Sequence, residues 1–442
     1  MSKHKFLKVV LFSFTLSLFP FYACAGDRCQ TFEKDYKKTF SSVNSEKQST
    51  EDGEWRTKGI PLLAYIENSG SMDGYVNGVT RFKTDIYSIL SNSCISDSRL
   101  KLFYINSKEI PQKTDARSFV QNLTVETFKT KGGNRTSTEL ASVIENVLKK
   151  ADDNNVVMLA SDFIFSPEKQ YRADVKNYLE MQKTDLKNTF EKFIKRDEEH
   201  KNAVVFLQGS SDFDGWFYNV NDTPFDYRGK NKIKRPFYIL LAGNKEMIAH
   251  LLQKTASSTH FVNSYSEFSS TMAVRYEVDA RPSRTVGSFR MCRNGMHHLE
   301  KIKADSRTDR FEFKVNLDLS GIPLNDSYLS CEEKEEGGTP CSHYRTSVKY
   351  YKVLSVKPIK DNQFGFTHEM TIGAKDRFPS ADLNIDILKD SSWIDNSNDD
   401  DGQKQLQGRT FGLKPLLEGM IKAYRQHAED YYARIRLFLE IQ

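Results

Sequence analysis

Cysteine and histidine chemistry has little to work with in this chain. Six cysteines occur in 442 residues, and none forms a C-x-x-C, which argues against a zinc knuckle or a thioredoxin-type site. The nine histidines are scattered. His297-His298 has no H-E-x-x-H context and reads as a surface or structural pair. There is no G-x-S-x-G nucleophile elbow. Beyond the first two dozen residues no apolar run is long enough to span a bilayer. A strong charge of either sign is also missing: the formal net charge is +5, so neither nucleic acid nor an anionic membrane is an expected partner.

The N-terminus carries what the rest lacks. Lys3, Lys5 and Lys8 precede an apolar stretch from Val9 to Phe21, and Ala23-Cys24-Ala25 follows as a small-residue cleavage site. Residues 1–25 read as a signal peptide, too short in its apolar part for a retained anchor. Removing them takes away three lysines and no acid, so the charge of +5 falls to +2. The expected location is extracytoplasmic: a bacterial periplasm or cell envelope, or secreted. Tyr22-Ala23-Cys24 is a poor relative of a lipoprotein box, which leaves a lipid anchor at Cys24 as the alternative. Export makes disulfides reasonable. Cys331 and Cys341, flanking a polar Gly-containing loop, are the best pair. Cys29 with Cys94 is a weaker one, and Cys292 is left over.

A chain of this length predicts two folded units. Residues 26–57 are polar and aperiodic, an N-terminal arm. From 58 to 264 strand and helix signals alternate. Leu62 to Ile66, Leu100 to Ile105, Val156 to Ala160, Val204 to Leu207 and Phe237 to Leu241 read as strands. Leu140, Val143, Ile144, Val147 and Leu148 have helical spacing, as do Val175 to Ile194 and Met247 to Leu252. Uniformly apolar strands alternating with helices predict an α/β unit around a parallel sheet. Gly209 to Arg235 is long for a connection and rich in aromatics (Trp216, Phe217, Tyr218, Phe225, Tyr227), which reads as a hairpin or functional loop. These rings either cover the sheet edge or form a recognition surface. From 265 to 442 the apolar residues alternate, as in Phe311, Phe313, Val315 and Leu317, predicting a sandwich-like antiparallel β-rich unit. A solvated acidic loop at 389–408 follows, failing EF-hand spacing. The chain closes with a helix around Leu413 to Tyr424 and an alternating strand around Ile435 to Ile441.

Three loops at the expected carboxyl ends of strands carry hard oxygen donors. Leu62 to Ile66 runs into Glu67-Asn68-Ser69-Gly70-Ser71-Met72. Gly132-Gly133-Asn134-Arg135-Thr136-Ser137-Thr138 precedes a helix. Ser161-Asp162 ends a strand. Open α/β sheets bind ligands at this edge, and such donors suit one octahedral divalent ion. The bland alternatives are turn satisfaction by Ser69 and Ser71, a capping box made by Thr136 with Glu139, and a cap at Asp162.

This arrangement resembles the von Willebrand factor A domain and its metal-ion-dependent adhesion site, over about residues 58–262. The family pattern is D-x-S-x-S after the first strand, a Thr after a Gly-rich loop, and a later Asp. Here Glu67, Ser69 and Ser71 match the first element, Thr138 (with Thr136 as alternative) the second, and Asp162 the third. The resemblance implies a Rossmann-like doubly wound fold and non-enzymatic binding of macromolecules, often with Mg²⁺. Glu67 departs from the family's Asp by one methylene, about 1.5 Å; Mg²⁺ tolerates geometric error poorly, so Mn²⁺ or Ca²⁺ are alternatives. The implied activity is recognition of a protein partner whose carboxylate completes the metal's coordination. The competing readings are a metal-free envelope assembly or structural factor and a metal-dependent hydrolase.

Overall fold

Apolar hexamers found the first sheet. β1 (Leu62–Glu67) lies parallel to β2 (Leu100–Ile105) on one side, and β3 (Glu109–Gln112) turns back antiparallel on β2. On the other side β1 is parallel to β4 (Val156–Ser161), with Leu62 opposite Val156 and Ile66 opposite Ala160. Beyond the small strands β6 (Trp216–Tyr218) and β7 (Pro224–Asp226), the sheet is completed by β5 (Asn202–Phe213), β8 (Ile233–Asn244) and β9 (Phe261–Phe268). The seven-stranded order is β3-β2-β1-β4-β8-β5-β9. The structure is a computed structural model describing residues 34, 54–93, 97–136, 139–221, 223–229, 233–293, 295–334, 340–360, 365–400, 402 and 408–442. The segment 1–25, nearly all of the arm at 26–57, and Cys24, Cys29 and Cys94 lie outside the described residues.

The chain is a mixed α/β protein, but the parallel sheet is found only in part. β2, β1 and β4 pair in parallel; β8 is antiparallel to both β4 and β5, and β9 to β5. Helices cover both faces, so residues 203–207 of β5 and 236–242 of β8 are apolar apart from the Tyr238 hydroxyl, whichever way the strands run. Composition reports that double burial and not direction. The aromatic stretch is the tip of the long β5–β8 hairpin, folded into the β6–β7 pair.

Alternate residues serve opposite faces. Ala64, Ile66 and Met158 pack with the helices Arg81–Ser93 and Lys245–Thr255, while Tyr65, Val157 and Leu159 pack with Leu140–Leu148 and Val175–Arg196. A third helix, Leu413–Tyr424, joins the second face, burying Leu413, Leu416, Leu417 and Met420 there. It crosses Val175–Arg196 at Gly419, where a Cβ would stand 2.8 Å from the Lys183 carbonyl oxygen and 3.0 Å from Leu186 Cβ. Sequence pattern groups this helix with the β-rich segment; packing attaches it to the α/β layer. β9 likewise runs on to Phe268, past the boundary at 264.

Apart from one two-stranded pair, the remaining strands form two five-stranded sheets. One contains Arg275–Asp279, Arg310–Asp318, His368–Lys375, Tyr351–Pro358 and Cys331–Glu332; the other contains Ser288–Met291, His298–Lys303, Tyr431–Ile441, Ala381–Leu388 and Tyr344–Thr346. Inward residues of both share one core, among them Phe313 and Val315 from the first and Leu383, Ile385, Ile435 and Leu437 from the second. Pairing is antiparallel except between His298–Lys303 and Tyr431–Ile441, because the last strand arrives from the helix on the other unit and not from a neighbouring turn. Lys389, just past Ala381–Leu388, reaches back to β9: its ammonium lies 2.6 Å from the Glu267 carboxylate, both side chains almost fully buried.

Cys331 and Cys341 form a disulfide. Cys292 is disulfide-bonded as well, so it is not the leftover thiol expected from the sequence. The acidic segment is more structured than a solvated loop. It contains the helix Trp393–Ser397, and Asn398–Asp399 pairs with Thr410–Phe411. Asp399 accepts from the Gly402 N–H at 3.2 Å and Asp395 pairs with Lys414 at 2.8 Å, so protein groups satisfy these acids. Among the described residues no helix is long and apolar enough to cross a membrane.

Candidate functional site

The first crossover, β1 to β2, runs to one side of β1, and the next strand, β4, lies on the other. In open α/β sheets such a reversal marks the edge where ligands bind, here the carboxyl ends of β1 and β4. Glu67 and Ser161 end those strands side by side, and the Ser161 hydroxyl donates to the Glu67 carboxylate. One residue on, Asp162 is 3% exposed. Its carboxylate accepts from the Ser71 hydroxyl and, at 3.3 Å, from the Ile164 N–H. Ser71 Oγ stands 3.0 Å from Ser69 Oγ. Glu67, Ser69, Ser71 and Asp162 therefore gather at one edge. Thr138 lies outside the described residues.

Burial raises the Asp162 carboxyl above its ordinary value, against the Ser71 hydroxyl, the Ile164 N–H and the charge of Arg235, which favour the carboxylate.

The Gly-rich loop is tied to the first loop by its backbone and by one arginine. Gly70 N–H donates to the Arg135 carbonyl at 2.9 Å, and Arg135 Nε donates to the Asn68 carbonyl at 2.9 Å. The same guanidinium pairs with Asp73. Asn106, at the end of β2, donates to Asn68 Oδ1 at 3.0 Å and to the Gly132 carbonyl at 2.9 Å. Gly133 (φ +79) packs so tightly that a Cβ would fall 2.0 Å from Asn106 Oδ1. This needs a left-handed residue without a side chain, which explains the second glycine.

The capping box at Thr136 is not found. The helix Leu140–Leu148 has Glu139 at its N-cap without a side-chain cap bond, and the Thr136 hydroxyl donates to Asn134 Oδ1 at 2.8 Å. A tight Asn turn outcompetes the cap.

Sequence reasoning misses Arg235. Because β8 is antiparallel to β4, its first residues lie where β4 ends, which brings Arg235 to the same edge. Arg235 is 2% exposed. Its guanidinium lies 4.0 Å from the Phe217 ring centroid and 5.5 Å from that of Phe213. Its Nε and Nη1 have no hydrogen-bond partner among the described residues. The available signal is a cation two residues before an apolar strand, whose meaning depends on strand direction.

The β6–β7 tip seats on the first loop. Gly215 lies flat against Gly74, with a Cβ on Gly215 only 2.6 Å from Gly74 Cα. Asp214 N–H donates to the Gly74 carbonyl at 3.0 Å. Phe217 is buried, while Tyr218 stays 40% exposed at the rim, so the aromatic cluster both covers the edge and leaves a ring outward.

Two other clusters are less suited to ligands. Cys292, His298 and Glu300 come together with metal-ligand spacing, but the Cys292 sulfur is in a disulfide and no thiolate is left to coordinate. His297 and His298 are both buried, not at the surface, and His297 Nε2 bonds the Tyr276 carbonyl at 2.7 Å. Asp85, fully buried, faces the His260 ring at 3.4 Å, and among the described residues no hydroxyl bonds that ring, so the pair does not extend into a nucleophilic triad.

Compared with protein-family models, with curated proteins and with solved structures, the chain matches none.

Proposed function

We propose that this chain is an exported recognition protein. Its α/β unit acts as a von Willebrand factor A-type, Rossmann-like domain, and its carboxyl-edge site takes a divalent ion, Mg²⁺ first with Mn²⁺ or Ca²⁺ as alternatives. A carboxylate of a protein partner completes the coordination. The β-rich unit is a spacer or second contact surface. The signal-like residues 1–25 support an extracytoplasmic setting, in a bacterial periplasm or cell envelope.

One observation carries this reading: the Ser69 and Ser71 hydroxyls stand 3.0 Å apart beside the buried Asp162 carboxylate. Adjacent ligands of an octahedral Mg²⁺ at about 2.1 Å are separated by about 3 Å, so the two oxygens already have the spacing of neighbouring ligands. The donors are hydroxyls and carboxylates, the hard oxygens that such an ion prefers. Ser69, Ser71 and Asp162 would hold the ion, with Thr138 as a further ligand. Glu67 would serve from the rear, steadied by Ser161. The ion would supply a Lewis-acidic position for an outside oxygen.

Thermal unfolding of the chelator-treated full chain tests it. Saturating Mg²⁺ or Mn²⁺ at about 100 times Kd should add about 2.7 kcal/mol, read as a rise in Tm of several degrees. Asp162→Asn should abolish the rise. An unchanged Tm at millimolar metal counts against the reading. The bond from Ser161 to Glu67 favours a second one, a metal-free envelope assembly factor, since it already engages the carboxylate that departs from the family pattern. The same titration separates the two.

A further inference from the structure

A guanidinium removed from water needs a partner, because its desolvation costs several kcal/mol. Arg235 is 2% exposed and makes no direct ion pair with any described residue. The faces of Phe217 and Phe213 supply part of what it lacks, yet two of its nitrogens stay unbonded. Two buried carboxyl groups share this edge, Glu67 and Asp162; Glu67 already takes the Ser161 hydroxyl. β4 and β8 pair antiparallel with Ala160 opposite Ile239 and Ser161 opposite Tyr238, so the alternation of the two strands carries Asp162 and Arg235 to the same face of the sheet at its edge. Arg235 also donates to the Tyr75 hydroxyl, and its charge acts on Asp162. Both are enclosed by elements that cannot withdraw easily: β8 in mid-sheet, and the loop held by the Gly74–Gly215 contact.

We propose that Arg235 is the resident counter-ion of Asp162, a built-in cation that keeps the carboxyl edge folded when no metal is bound and opposes metal entry. The second half of this rests on the metal-site reading above; the first does not. With their carboxyl groups ionised, Glu67, Asp162 and Arg235 together carry one net negative charge, Asp73 and Arg135 cancelling each other. A divalent ion turns that total to one net positive charge. The loaded edge is then matched by a single outside carboxylate, whereas two carboxylates without the arginine would be neutralised by the ion alone. Arg235 therefore trades metal affinity for attraction of an acidic ligand.

A double-mutant cycle on the full chain tests this. With chelator present, R235M and D162N should each lower the urea midpoint, and R235M/D162N should lose clearly less than the two losses added. R235K, which keeps the charge, should lose less than R235M. Additive losses overturn the counter-ion assignment. In titrations with Mn²⁺ alone, R235M should bind at least tenfold tighter than the parent, since a like charge near the site is gone; equal or weaker binding overturns the opposition to metal. If neither protein takes Mn²⁺ while the cycle stays non-additive, the metal-site reading fails and the counter-ion stands. Should R235M not fold even with Mn²⁺, R235K and R235M/D162N decide the matter: a folded double variant supports the pairing, and an unfolded one refutes it.

Discussion

Lys389→Met is expected to destabilise the chain by about 3–5 kcal/mol, the usual cost of stripping a buried charge of its partner. Lys389 is 6% exposed and Glu267 4%; the Tyr265 hydroxyl also donates to Glu267, at 2.7 Å. With the ammonium gone, the carboxylate keeps one hydrogen bond in an apolar setting beside Phe268 and Tyr432, the rings that flank the lysine. The loss should depend on pH. Burial raises the Glu267 carboxyl above its ordinary value, against the pull of Lys389 and Tyr265. A carboxyl raised by folding contributes fully below the unfolded pKa, about 4.3, and that contribution is lost as pH rises through the folded pKa. Removing Lys389 widens this window. The deficit in urea unfolding should be larger at pH 7.5 than at pH 4.5, and Lys389→Met with Glu267→Leu should recover most of it. A deficit independent of pH would show that lost packing, not the stranded charge, is responsible.

Gly215→Ala is expected to cost about 1–3 kcal/mol, the range for forcing atoms into a packed site. Its new Cβ would lie 2.6 Å from Gly74 Cα and 2.7 Å from Gly74 N. These are backbone atoms, and no rotamer change can move them aside. Relief requires the hairpin tip to lift from the first loop, which pulls Phe217 off Arg235. Limited proteolysis should then cut within 216–229 faster than in the parent, along with a lower urea midpoint. Val79→Ala, on a residue 85% exposed, is the control and should change stability by less than about 0.5 kcal/mol. If Gly215→Ala behaves like the control, the glycine pair does not seat the tip.

Several parts of this architecture are legible in the residues. The apolar runs at Leu62, Leu100 and Val156 become strands because each is short, continuous and bounded by polar turns. The alternation of Phe311, Phe313, Val315 and Leu317 becomes a half-buried strand. The gathering of Glu67, Ser69, Ser71 and Asp162 follows from their common place after parallel strands. Strand direction is not legible past β4, because a hairpin strand buried on both faces has the same composition as a parallel one. Arg235 is hidden for the same reason, since only an antiparallel β8 delivers its start to the edge where β4 ends. The Thr136 capping box fails because Asn134 offers a nearer acceptor. The acidic segment misleads because its carboxylates are used by Gly402 and Lys414, partners that charge patterning does not reveal.

The helix Leu413–Tyr424 has a consequence for how the chain is made. The apolar face of Val175–Arg196 around Leu186 waits for Gly419, contributed more than two hundred residues later. Until that late segment emerges, a nascent chain exposes Leu179, Leu186 and Phe190 to whatever is nearby. Closing so long a loop is slow, and half-made sheets with bare apolar faces invite association. A chain cut short at residue 400 should accumulate as aggregates rather than as a smaller soluble α/β unit, and sedimentation of the truncated product would reveal it. Synthesis must therefore hand over the whole polypeptide before its first layer can settle.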